Sequence, residues 1–120
     1  MTVSPFERAA VRRLRHQVLL GGCTPSGRYW SVVSVEHRDA PDHTSVTLTA
    51  DACPGVVLVL TLSSWACLDV VEWRVRRSGR TIRGDVAWFS HSTHGWGTLS
   101  SVLDAARDVA EADYVSRWGR

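Results

Sequence analysis

Two alternating runs flank a compact polar pair in DVVEWRVRRSGRTIRGDVAWF, Asp69 to Phe89, and this stretch constrains the fold more than any other. Ser78-Gly79 has the form of a two-residue hairpin connection, because glycine supplies the positive φ that such turns need. Pairing outward from it without interruption sets Val75 opposite Ile82, Trp73 opposite Gly84 and Val71 opposite Val86, with Trp88 further along. Alternation then places these residues on one face, which this register predicts to be core. Glu72, Arg74 and Arg76 share the other face with Asp85, Arg83 and Thr81. Gly84 is a weak point in a strand, and the register predicts that the ring of Trp73 covers it.

The elements around this hairpin follow from local signals. Ser4-Pro5-Phe6-Glu7 is a helix start, with Ser4 as N-cap, Pro5 at the first helical position and Glu7 placed for a capping box. Phe6, Ala10, Leu14 and Val18 recur at four-residue spacing, widened by Val11, and predict a helix to about Leu20 that ends at Gly21-Gly22. Arg28 to His37 is β-branched and aromatic and predicts a strand after the Pro25-Ser26-Gly27 turn. A loop is expected from Arg38 to His43, around Pro41, before a cleanly alternating strand from Thr44 to Ala50. Cys53-Pro54-Gly55-Val56 suits a type II turn. The run VVLVLTL is apolar on both faces, as in a central strand covered on both sides or lying at a subunit contact.

After the hairpin comes a loop from Ser90 to Gly97, and a last helix is predicted from near Thr98, with Leu99, Val102, Leu103, Ala106, Val109 and Ala110 on its apolar stripe. The first helix carries four Arg and one Glu, and Thr98 to Tyr114 carries three Asp, one Glu and one Arg, so the two are complementary in charge. The expected architecture is α+β: an N-terminal helix, a five-stranded, mostly antiparallel meander sheet and a C-terminal helix, with both helices on one face. Residues 1–120 read as a single domain.

Composition excludes several classes. All 14 basic residues are arginine, asparagine is absent and Ile82 is the single isoleucine, a bias in keeping with a GC-rich bacterial genome. A net charge of +2 does not announce a nucleic-acid or membrane partner. The longest apolar run, Val56 to Leu62, falls far short of the roughly 20 residues that span a bilayer. No signal-peptide core interrupts the arginine-rich start, which implies a soluble, cytoplasmic protein. Cys23, Cys53 and Cys67 are odd in number and scattered, so free thiols are expected rather than a disulfide framework.

Two constellations are candidates for a site. The loop SHSTHGWG brings His91, His94 and Trp96 together beside glycines. Two histidines fall short of the three or four ligands zinc takes, and no acid or nucleophile stands at a recognisable spacing, so neither metal, cofactor nor catalytic residue is assigned. Histidine and exposed tryptophan beside glycines also suit a recognition loop. The second constellation is the run of arginines around the hairpin, Arg74, Arg76, Arg77, Arg80 and Arg83. Their forked donors can read carboxylates on an acidic protein surface. Nucleic acid is disfavoured because no stacking platform or known binding motif accompanies them. Phosphate-loop, hydrolase-elbow and C-x-x-C patterns are all absent.

The last strand running through a GWGTL turn into an Ala-rich helix, Gly95 to Ala110, resembles the small cytoplasmic immunity proteins that neutralise bacterial toxins. The resemblance implies a non-enzymatic inhibitor that blocks a partner protein's active site. Arg74, Arg76, Arg83, His91, His94 and Trp96 would then form its contact surface. Two other readings fit the same elements. A curved sheet capped by helices can enclose an apolar pocket, as in small ligand-binding or cyclase-type proteins, with His91 or His94 reaching inside. An apolar helix-free sheet face can also mediate homodimerisation.

Overall fold

The structure is a computed structural model and describes residues 4–16, 29–39, 42–65, 68–90 and 96–118. Helix α1 (Pro5–His16) is followed by strands β1 (Ser31–Asp39), β2 (Asp42–Thr49), β3 (Val56–Trp65), β4 (Leu68–Arg77) and β5 (Arg80–Ser90), and by helix α2 (Trp96–Trp118). The strands form one antiparallel sheet in the order β1-β2-β3-β4-β5. This is the predicted α+β meander.

Both helices lie on one face of it, α1 over β1 to β3 and α2 over β4 and β5. The inner face presents Val46, Leu48, Leu58, Leu60, Leu62, Val71, Trp73 and Val75, all buried. Phe6, Ala10 and Leu14 from α1 and Leu99, Val102, Leu103, Ala106 and Ala110 from α2 close over them in a single core. Val18 and the Gly21-Gly22 stop lie outside the described residues.

The local signals act as their chemistry requires. The Glu7 backbone N–H donates to Ser4 Oγ at 3.2 Å, and Arg8 N–H donates to the Ser4 carbonyl at 3.0 Å, so Ser4 caps α1. Gly55 has φ +86° while Val56 N–H donates to the Cys53 carbonyl at 3.3 Å, as a type II turn demands. Ser78 and Gly79 both have positive φ, +53° and +78°, the pattern of a type I′ hairpin.

Several boundaries differ from the sequence expectation. Arg38, Asp39, Asp42 and His43, expected in a loop, are strand: β1 continues to Asp39 and β2 begins at Asp42, with Asp39 facing Asp42. The helix predicted from Thr98 begins at Trp96. VVLVLTL is covered on one side only, because Leu58, Leu60 and Leu62 face the helices while Val57 and Val59 stand half-buried on the helix-free side.

The largest correction concerns register. Arg77 faces Arg80 and Arg76 faces Thr81, but Val75 then faces Arg83, leaving Ile82 as an extra residue in β5. This bulge moves every later pair by one position, so Trp73 faces Asp85, Arg74 faces Gly84 and Val71 faces Ala87. Val86 and Trp88 therefore lie on the open face, 40% and 55% exposed, instead of in the core. Gly84 is not covered by the Trp73 ring. A Cβ there would lie 2.7 Å from the Trp73 carbonyl oxygen and 2.8 Å from Arg74 Cγ, so the stem of Arg74 occupies that space.

Candidate functional site

Two surfaces concentrate chemistry. The first is the helix-free face of β3, β4 and β5. Cross-strand rows place Val59 beside Arg74, Val57 beside Arg76, and Val70 between Ser63 and Trp88, with Glu72 next to Val86. Arg74 is exposed and makes no ion pair among the described residues, whereas Arg76 turns back to donate to the Gly79 carbonyl at 2.7 Å. Towards β2 the face becomes hydroxylic, with Ser45, Thr47 and Thr49.

The sequence-derived contact residues divide across the sheet. Arg74 and Arg76 stand on the open face, joined there by Trp88 and Val86. The Ile82 bulge sends Arg83 to the helix side, where it lines an open groove of about 410 Å³ with Ile82, Asp108, Val109, Asp113 and Ser116. Trp96 opens α2, and His91 and His94 lie outside the described residues. Trp30 and Trp73 pack into the core instead of lining a pocket, and Trp30 Nε1 donates to the Leu103 carbonyl at 3.2 Å. Tyr29 meets Trp30 edge-on and lies under the Arg107 guanidinium. Burial and a hydrogen bond with Cys53 push the Tyr29 hydroxyl well above the ordinary tyrosine range. Cys53, a buried free thiol, also donates to the Ala110 carbonyl at 3.6 Å.

The second surface is a polar chain beneath the N-terminus of α1, which the sequence analysis did not single out. Glu7 is only 1% exposed, although its local pattern marks it as a capping residue. It accepts from Ser4 Oγ and from Thr44 Oγ1, each at 2.7 Å. Ser64 Oγ, 3.2 Å from Ser4 Oγ, donates to Asp69 Oδ1 at 2.7 Å. On the other side, His37 Nδ1 lies 3.1 Å from Thr44 Oγ1 and 3.7 Å from Glu7 Oε1. His37 Nε2 points to Asp42 Oδ1 at 3.0 Å and Asp39 Oδ1 at 3.6 Å.

β-pairing assembles this cluster. Asp39 faces Asp42 and His37 faces Thr44, and alternation puts all four on the side covered by α1. A signal was present in the sequence, the H-x-D-x-x-D spacing of His37, Asp39 and Asp42 around a Pro-containing connection. A loop expected from Arg38 to His43 hides that spacing, because alternation assigns faces only within a strand. Among the described residues, no helix is long and apolar enough to cross a membrane. Comparison of the chain with protein-family models, with curated proteins and with solved structures finds no match.

Proposed function

We propose that this chain is a small, non-enzymatic protein-binding domain that docks a partner on the open face of β3–β5, in the manner of an inhibitor or immunity protein. The observation that carries this reading is Trp88, 55% exposed on a face without a helix, opposite Val70 and two residues from Val86, with Arg74 further along β4 on the same face. Tryptophan and arginine are the residues that dominate binding energy when a partner excludes water from them. The charge of Arg74, which has no ion pair among the described residues, with Arg80 exposed at the hairpin tip, complements an acidic rim around an apolar centre on the partner.

The test is affinity capture from cells of the source at low and high salt, followed by reconstitution of the captured protein with the purified chain. A one-to-one complex weakened at least tenfold by Trp88→Ala or Arg74→Ala, and weakened by salt, supports the reading. A complex indifferent to both substitutions overturns it. Concentration-dependent dimerisation abolished by Trp88→Ala also overturns it, and assigns the face to a second copy of this chain.

A further inference from the structure

We propose that His37, Asp39 and Asp42 form a binding site for a divalent transition-metal cation, at the α1-covered edge of the sheet and separate from the open face of β3–β5. The argument starts from protons. A serine or threonine hydroxyl has a single hydrogen to give. That of Thr44 goes to the Glu7 carboxylate, which can only accept. Contact between Thr44 Oγ1 and His37 Nδ1 then requires Nδ1 to carry the hydrogen and donate it. In a neutral imidazole this leaves Nε2 as a bare lone pair.

That lone pair is sealed from solvent and has no hydrogen-bond partner, because its 3.0 Å approach to Asp42 Oδ1 lacks hydrogen-bond geometry. It faces two carboxylates that are themselves cross-strand neighbours. Like charges directly opposite on a sheet are destabilising. Glu7 adds a third negative charge behind the ring, 3.7 Å from Nδ1. Such an arrangement calls for a positive charge between Nε2 and the aspartates.

The dimensions suit a metal ion. One atom from each of the three side chains lies within 4.8 Å of the others. Bonds of about 2.1 Å to a tetrahedral or octahedral ion place adjacent donor atoms roughly 3.0 to 3.4 Å apart, and the Nε2–carboxylate separations are 3.0 and 3.6 Å. One imidazole with two carboxylates selects zinc or a neighbouring first-row ion over calcium or magnesium, which prefer all-oxygen sites. Thr44 and Glu7 supply the outer shell that orients a metal-bound histidine and fixes its tautomer. Three protein ligands leave further coordination positions to water.

The test is zinc titration of the EDTA-stripped chain by calorimetry, with ¹⁵N NMR of the His37 ring, in wild type, Asp42→Asn and Asp39→Asn. Both aspartates are exposed, so the variants keep the fold, and far-UV circular dichroism checks this. The expected result is a bound zinc that shifts His37 Nε2, raises the melting temperature, and binds at least tenfold more weakly in either variant. Zinc held elsewhere, by the cysteines or by His91 and His94, would leave the His37 ring unmoved and the variants unaffected, and overturns the proposal. Absence of uptake by the wild type also overturns it.

Discussion

Arg77 Nε donates to Asp113 Oδ2 at 2.7 Å, tying the end of β4 to α2 through side chains only 12% and 10% exposed. The same guanidinium lies against the Pro54-Gly55 turn, where a Cβ on Gly55 would come within 2.8 Å of Nη1. Arg77 thus joins a turn, a strand and a helix. Asp113→Asn should cost about 1 to 3 kcal/mol at neutral pH, because it leaves a largely buried guanidinium short of its charged acceptor.

This contact sets a pH dependence. Burial alone would push the Asp113 carboxyl up, but hydrogen bonds from Arg77 and Arg117 outweigh it and hold the group below its ordinary 3.8. A carboxylate with a depressed folded-state pKa stabilises fully above its unfolded value, and the contribution is lost as pH falls through the folded one. Melting curves of wild type and Asp113→Asn should therefore differ at neutral pH and converge in acid below about pH 4.

Gly84 and Arg74 should be energetically coupled, whereas Gly84 and the Trp73 ring should not. Gly84→Ala is expected to cost about 1 to 3 kcal/mol, since its Cβ would collide with the Trp73 carbonyl and the Arg74 stem. Arg74→Ala should recover part of that loss, the backbone collision remaining. Trp73→Ala should cost about 3 to 5 kcal/mol from the core, and should add to Gly84→Ala within roughly 0.5 kcal/mol. Denaturant unfolding of the two double-mutant cycles measures both couplings.

Ser78 holds φ +53° without glycine's freedom. A left-handed backbone conformation costs an ordinary residue about 1 to 2 kcal/mol, and asparagine bears it better. Ser78→Asn should raise stability by about 0.5 to 1 kcal/mol, read as a higher urea midpoint at unchanged slope.

Glu7 should matter more than a capping residue does. Glu7→Ala removes the acceptor of both Ser4 and Thr44 in a buried setting, with an expected cost of about 2 to 4 kcal/mol. Glu7→Gln keeps the shape but cannot accept at both ends, and should retain only part of the stability. A loss of a few tenths of a kcal/mol for Glu7→Ala in thermal melts would mean that the buried network contributes nothing beyond the cap.

The meander and its helices were legible because each is announced within a few residues: Ser4 three before Glu7, Pro54-Gly55, Ser78-Gly79, and the strict alternation of Thr44 to Ala50. The face assignment of β5 was not. Ile82, Gly84, Val86 and Trp88 form one alternating set and Arg83, Asp85, Ala87 and Phe89 the other, and a single extra residue exchanges them. The functional reading inherited that choice, since the bulge separates Arg83 from Arg74 and brings Trp88 to the surface.

By itself, then, the sequence determined the elements, their order and most of the helix-facing core, because caps, turns and hydrophobic period act over distances the chain spans locally. Tertiary structure alone decided the bulge at Ile82, the burial of Glu7 beneath α1 and its contact with Thr44 beside His37. Each of these depends on which strand or helix lies opposite. Cross-strand register and helix docking are settled by the packing of the whole inner face, where a one-residue shift exchanges a buried side chain for an exposed one.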